Sequence, residues 1–197
     1  MKPFDTRYLP LVALVVIIIA IIAAGLSVLR APRTVSGTID PLVKTYASQD
    51  YGIIFLYPKT YFVVERDATS SAGVTHIVTL FEDTPTARAI VNGTMEGTEP
   101  PPSITVHIYP NTKGVSTASW ARTARESNFD LGDKTFINTT LGGEPALLYR
   151  WSGLYEGITI ARARPKRIYA VSVMYLSKED PIMTAFGVVA SSTTFTK

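Results

Sequence analysis

The sequence predicts an α+β fold: an N-terminal transmembrane helix followed by an antiparallel β-sheet domain flanked by helices. Three observations lead there. Residues 9–29 form an apolar run without a charged side chain. Beyond it, stretch after stretch alternates apolar and polar residues, the two-residue period of a strand with one buried face. Ser116-Thr117 and Asp180-Pro181 stand just ahead of apolar residues at helical spacing, where helix caps and first turns belong.

At about 1.5 Å per residue the run 9–29 reaches roughly 30 Å, the thickness of a bilayer's hydrocarbon core, where a helix satisfies its backbone polar groups internally. Pro10 falls in the first turn, where its missing N–H costs little, and Tyr8 suits the headgroup boundary. The run is longer than the apolar part of a signal peptide. Ala20, Ala23, Ala24 and Gly25 lead into Leu26-Ser27-Val28-Leu29 without a small-x-small cleavage pattern, so the expectation is an uncleaved single-pass anchor. Lys2 and Arg7 before the run nearly balance Arg30 and Arg33 after it. The layout of a short basic tail, one span and a folded domain then places the tail in the cytoplasm and the C-terminal domain outside the cell membrane. The divisions expected are a tail over 1–8, the span over 9–29, a linker over 30–43 and a globular domain over 44–197.

Composition narrows the function. With Lys2, Arg7 and Asp5 set aside, the rest of the chain carries a net charge of +2, without the concentrated basic face of a nucleic-acid binder. Cysteine is absent, which removes disulfides, thiol nucleophiles, iron–sulfur ligation and a lipidated cysteine anchor.

Taken in order, residues 45–57 read as a short strand, a turn at Gln49-Asp50 and a strong strand ended by Pro58. Residues 61–65 start another, and 75–81 a third, with Ile77, Thr79 and Phe81 on one face and His76, Val78 and Leu80 on the other. Residues 83–103, with Pro85, Gly93, Gly97 and Pro100-Pro101-Pro102, read as a long surface excursion. Residues 104–109 alternate most clearly. A helix capped by Ser116 or Thr117 follows, presenting Thr117, Trp120, Ala121 and Ala124 inward. Residues 135–139 and 146–151 pair around Gly142-Gly143; 158–164 and 168–176 pair around Pro165-Lys166. The strand 168–176 is apolar on both faces and belongs in the centre of a covered sheet. A last helix from Asp180-Pro181 buries Ile182, Met183, Phe186, Val189 and Ala190, and Phe195 closes the core.

The segment Tyr51-Gly52-Ile53-Ile54-Phe55-Leu56-Tyr57-Pro58 resembles the opening of PsbP-like domains, the family that includes the photosystem II PsbP protein and the Mog1 fold. The helix around Trp120, the Gly142-Gly143-Glu144-Pro145-Ala146 turn, the two-faced strand 168–176 and the helix leading to Phe195 follow in that family's order. Tyr61-Phe62 stands where such domains often carry a tryptophan. The resemblance implies α/β/α layers and a non-catalytic docking domain; no functional residue of the family carries over.

Few residues stand out as a site. His76 and His107 lie on predicted strands without an acid or second histidine at metal-ligand spacing, and read as strand residues. No Gly-x-Ser-x-Gly elbow, Ser-x-x-Lys pair or phosphate-cradling glycine loop occurs. Asp130 and Asp133 around Gly132 read as a solvated turn. Asn92 and Asn138 head glycosylation sequons, meaningful only in a eukaryotic secretory pathway. The polar cluster that does stand out is Arg162, Arg164, Lys166 and Arg167 at one hairpin end, suited to anionic lipid headgroups, an acidic partner or an envelope polymer, or simply a charged tip that discourages edge pairing. The expected function is a membrane-anchored extracytoplasmic binding or assembly module that engages a protein or envelope component, with no nucleic acid and no cofactor or metal. The alternatives are an anchored hydrolase with a carboxylate pair and a structural subunit of a membrane complex.

Overall fold

The strand periods resolve into two sheets. The computed structural model describes residues 42–70, 73–95 and 99–196. The expected tail, span and nearly all of the linker lie outside the described residues, among which no helix is long and apolar enough to cross a membrane.

A hairpin of β1 (Val43–Ser48) and β2 (Ile53–Pro58), joined by two-residue strand β10 (Thr194–Phe195), makes a three-stranded sheet in the order β1-β2-β10. The other strands are β3 (Tyr61–Ser70), β4 (Gly73–Glu82), β5 (Ile104–Pro110), β6 (Ile137–Leu141), β7 (Glu144–Ser152), β8 (Glu156–Ala163) and β9 (Arg167–Tyr175). They form a seven-stranded sheet in the order β3-β4-β5-β9-β8-β7-β6, every neighbour antiparallel. The flanked antiparallel sheet expected from the sequence is therefore present, but as two sheets rather than one. The cause is β2: one of its faces, with Ile53 and Phe55, is fully buried in the core shared with the large sheet, while its two edges take β1 and β10.

Among the described residues three α-helices accompany the sheets. α1 (Pro85–Val91) is a correction to the surface excursion expected at 83–103. Thr84 caps it by accepting from the Ala87 N–H, and Pro85 occupies its start. α2 (Thr117–Thr123) is capped by Ser116 and followed by two 3-10 turns, Arg125–Ser127 and Phe129–Leu131. α3 (Ile182–Ser192) starts at Pro181, with Asp180 accepting from the Ile182 N–H at 3.1 Å.

The two faces of the large sheet carry different cores. On one, the three-stranded sheet and α3 cover Val78, Leu80, Ile104, Val106, Ile108, Val171 and Val173, most of them fully buried. Each such side chain is worth about 1.5–3 kcal/mol in surface removed from water. On the other, α2 and the 3-10 turns cover only part of the sheet, packing Trp120 and Phe129 against Tyr109, Tyr149 and Trp151. Strand β9 is central and covered on both faces, its odd residues Tyr169 to Tyr175 in the first core and Ile168 and Ala170 in the second. β6 and β7 turn through Gly142-Gly143, both at positive φ (62° and 73°), the backbone a two-residue hairpin loop requires. β3 runs to Ser70, beyond the stretch 61–65 expected from its apolar residues, because its second half is polar and paired rather than buried.

Candidate functional site: a half-covered sheet face

Cross-strand register builds the floor of a cavity on the second face. Arg66, Ile77, His107 and Ala170 are successive partners across β3, β4, β5 and β9. Two residues along each strand lies a second row: Val64, Thr79, Thr105, Ser172, Thr159 and Tyr149. Four consecutive hydroxyls thus cross the middle of a sheet whose other face is largely aliphatic. Thr159 and Ser172 share a hydrogen bond at 2.9 Å, and the Trp151 indole N–H donates to Thr159 Oγ1 at 3.0 Å. Among the described residues the hydroxyls of Thr79 and Thr105 form no hydrogen bond and face the cavity.

Walls and roof are largely aromatic. Trp120 from α2 lies 5.2 Å from Tyr109, and Tyr109 stacks with His107 at 5.5 Å. Tyr149 donates its hydroxyl to the Ser127 carbonyl at 2.8 Å, tying the first 3-10 turn to β7. Val91 and Pro100, from the segment around α1, line the opposite side, and Tyr155 donates to the Pro100 carbonyl at 3.1 Å. The enclosed space is about 400 Å³. That lies in the range of small-ligand sites, about 300–1,000 Å³.

Two charged side chains, Arg66 and Glu126, and one imidazole, His107, reach this space. Burial, and then the Arg66 charge, push the His107 pKa down to about 4. At neutral pH the ring is therefore neutral, one nitrogen donating and the other accepting. The Tyr109 and Tyr149 phenols are raised, chiefly by burial, and stay protonated.

The basic hairpin end is organised differently from a cluster of four free charges. Arg162 donates to Glu144 at 3.1 Å and to the Pro145 carbonyl at 2.8 Å; Arg164 reaches the other Glu144 oxygen at 3.5 Å and lies over the Phe195 ring at 5.1 Å. The two arginines do share one side, as the alternation requires, and Glu144 sits between them. Arg167 lies over Tyr51 at 5.4 Å, and Lys166 is exposed at the turn. Arg164, Lys166 and Arg167 line a second cavity of about 300 Å³ with Gln49, Gly52 and Thr196.

His76 lies on a strand as expected, but it is buried rather than partly exposed, and acids from the neighbouring strand hold it. Asp67, its direct cross-strand partner, meets Nδ1 at 2.8 Å; Glu65 meets Nε2 at 3.2 Å; and Tyr51 stacks on the ring at 3.9 Å. Tyr46 donates to the same Glu65 oxygen at 3.0 Å, and its phenol is raised by burial and then by that bond. Among the described residues no group of three His, Cys, Asp or Glu side chains is placed to hold a metal. Asp130 pairs with Lys134 at 3.1 Å, and Asp133 accepts from the Thr135 N–H at 2.9 Å.

The sequence reading missed the cavity. Its signal was there: one hydroxyl on each of four strands, at positions 79, 105, 159 and 172, which only the strand register brings side by side.

No protein-family model matches the sequence, and no curated protein is found similar. Among solved structures the chain is similar to the solution structure of cyanobacterial PsbP (CyanoP) from Synechocystis sp. PCC 6803. The identity is 14%, the likeness covers 84% of this chain and 99% of that one, and the TM-score is 0.46. At that score it carries no argument about this chain.

Proposed function

We propose that this chain is a membrane-anchored, extracytoplasmic binding module of PsbP-like kind that acts without turnover, and that its binding site is the half-covered sheet face. The observation that carries the reading is the cavity of about 400 Å³, aromatic at its walls and hydroxylated along its floor. Apolar walls with a few convergent polar groups are what small-ligand sites are made of. Its polar groups are of a holding kind. His107 is neutral and stacked on Tyr109, Thr159 and Ser172 bond each other, and among the described residues no serine bonds His107. Glu65 and Asp67, two carboxylates that face one histidine, are taken up by His76 and do not line it.

Two experiments test this. A C-terminal tag cut by protease in intact cells supports the anchored, outward orientation; protection of the tag while a control exported domain is cut reverses it. Native mass spectrometry of the full chain extracted from its own membrane should show a bound small molecule released unchanged on unfolding. A ligand consumed during incubation would instead favour the anchored enzyme.

A further inference from the structure

Charge in the cavity is unevenly placed. Arg66 ends the row Arg66, Ile77, His107, Ala170 at the outer strand pair and is exposed. Among the described residues no hydrogen bond or ion pair holds its guanidinium. Glu126 stands at the roof, in the first 3-10 turn, beside Tyr109. The groups between, neutral His107 and the hydroxyls of Thr79 and Thr105, both donate and accept, so they orient a ligand without choosing its sign. The sign is chosen by Arg66, whose planar fork matches a carboxylate. Tryptophan and tyrosine faces on the walls suit a flat ring, which stacks against or meets them edge-on.

Building on the binding-site reading above, we infer that the cavity takes a small planar aromatic anion. Its ring lies against the indole and phenol walls, its carboxylate reaches Arg66, and Thr79, Thr105 and His107 bond its polar edge. The anionic end faces the exposed strand pair and the ring enters first.

The test uses the full chain, isotopically labelled, in nanodiscs of zwitterionic lipid. The chain has two tryptophans, Trp120 and Trp151, and both line this cavity, so their two indole N–H signals report its occupation. Calorimetric titrations compare 2-naphthoate with uncharged 2-naphthamide and cationic 2-naphthylmethylammonium. The expected result is that naphthoate shifts both indole signals and binds about tenfold or more tighter than the amide, as a charge-assisted bond requires. Arg66→Gln should abolish that preference while leaving amide binding in place, and Arg66→Lys should retain part of it. If the amide or the cation binds as tightly as naphthoate, or if Arg66→Gln keeps the preference, the anion inference is wrong while the cavity remains a binding site. If no probe moves either indole signal, the binding-site reading falls with it.

Discussion

Trp151 lies across Gly157, its paired neighbour on β8, with the indole occupying the space a β-carbon on Gly157 would need. That overlap holds the ring flat on the sheet, where its N–H meets Thr159 and its face walls the cavity. Gly157→Ala should therefore expel the indole. We expect a loss of about 1–3 kcal/mol, the usual range for overpacking, with a shifted tryptophan emission. Gly153→Ala, where a β-carbon meets nothing within 4 Å, should leave both unchanged; urea unfolding read by fluorescence checks the pair.

His107 predicts the pH dependence of stability. Its folded pKa, about 4, lies below the ordinary 6.5, so between these values the unfolded chain binds a proton that the folded chain refuses. The contribution of His107 should be constant above about pH 6.5 and should lower stability as pH drops toward 4, by on the order of 3 kcal/mol at most. In His107→Gln this part of the slope should vanish, measured by denaturant midpoints from pH 7 to 4. A wild-type slope retained in the variant would assign it to other groups.

Substitution of His76 should separate its two roles. His76→Phe keeps a ring against Tyr51 but leaves Glu65 and Asp67 without their shared partner, while His76→Ala removes the stack as well. Each lost hydrogen bond is worth about 0.5–1.5 kcal/mol net. Thermal unfolding should rank wild type above His76→Phe and His76→Phe above His76→Ala. Equal midpoints for the two variants would show that the Tyr51 stack adds nothing.

At the hairpin end, Glu144→Gln should release Arg162 and Arg164 from their shared carboxylate. Such half-exposed pairs contribute about 0–1 kcal/mol, so stability should barely change. Retention on a heparin column should rise, and Lys166→Gln in the same background should lower it again. Unchanged elution of both variants would show that this end does not present its charge to a polyanion.

How far the sequence spoke can be read from particular residues. Residues 104–109, the Gly142-Gly143 turn and Asp180-Pro181 carry local signals, and the strand, hairpin and helix they predict are present. α1 was legible in Thr84-Pro85, but it buries only Ala87, so the apolar periodicity that marks a helix is missing. The pairing of Thr194 with Ile54 joins distant parts of the chain and leaves no local trace. Asp67 meets His76 only through the register of the β3–β4 hairpin, and Glu144 meets Arg162 and Arg164 only because β7 and β8 are neighbours. Spacing rules for metal ligands and basic patches see residues along the chain, whereas both clusters are assembled across strands. The span 9–29 lies outside the described residues.

The small sheet also fixes how the domain answers to tension. β1 and β10 flank β2 and run parallel to each other, so the chain enters beside Pro58 and leaves β10 beside Ile53, opposite ends of a six-residue strand. Load applied between Val43 and Thr196 therefore runs along the strands across roughly 20 Å. It pulls the outer strands in opposite directions past β2, straining the β1–β2 hydrogen bonds together instead of opening them one by one. A domain tugged between a tether and a bound partner would resist by shear, and its lifetime under force would be set by the rate of that rupture.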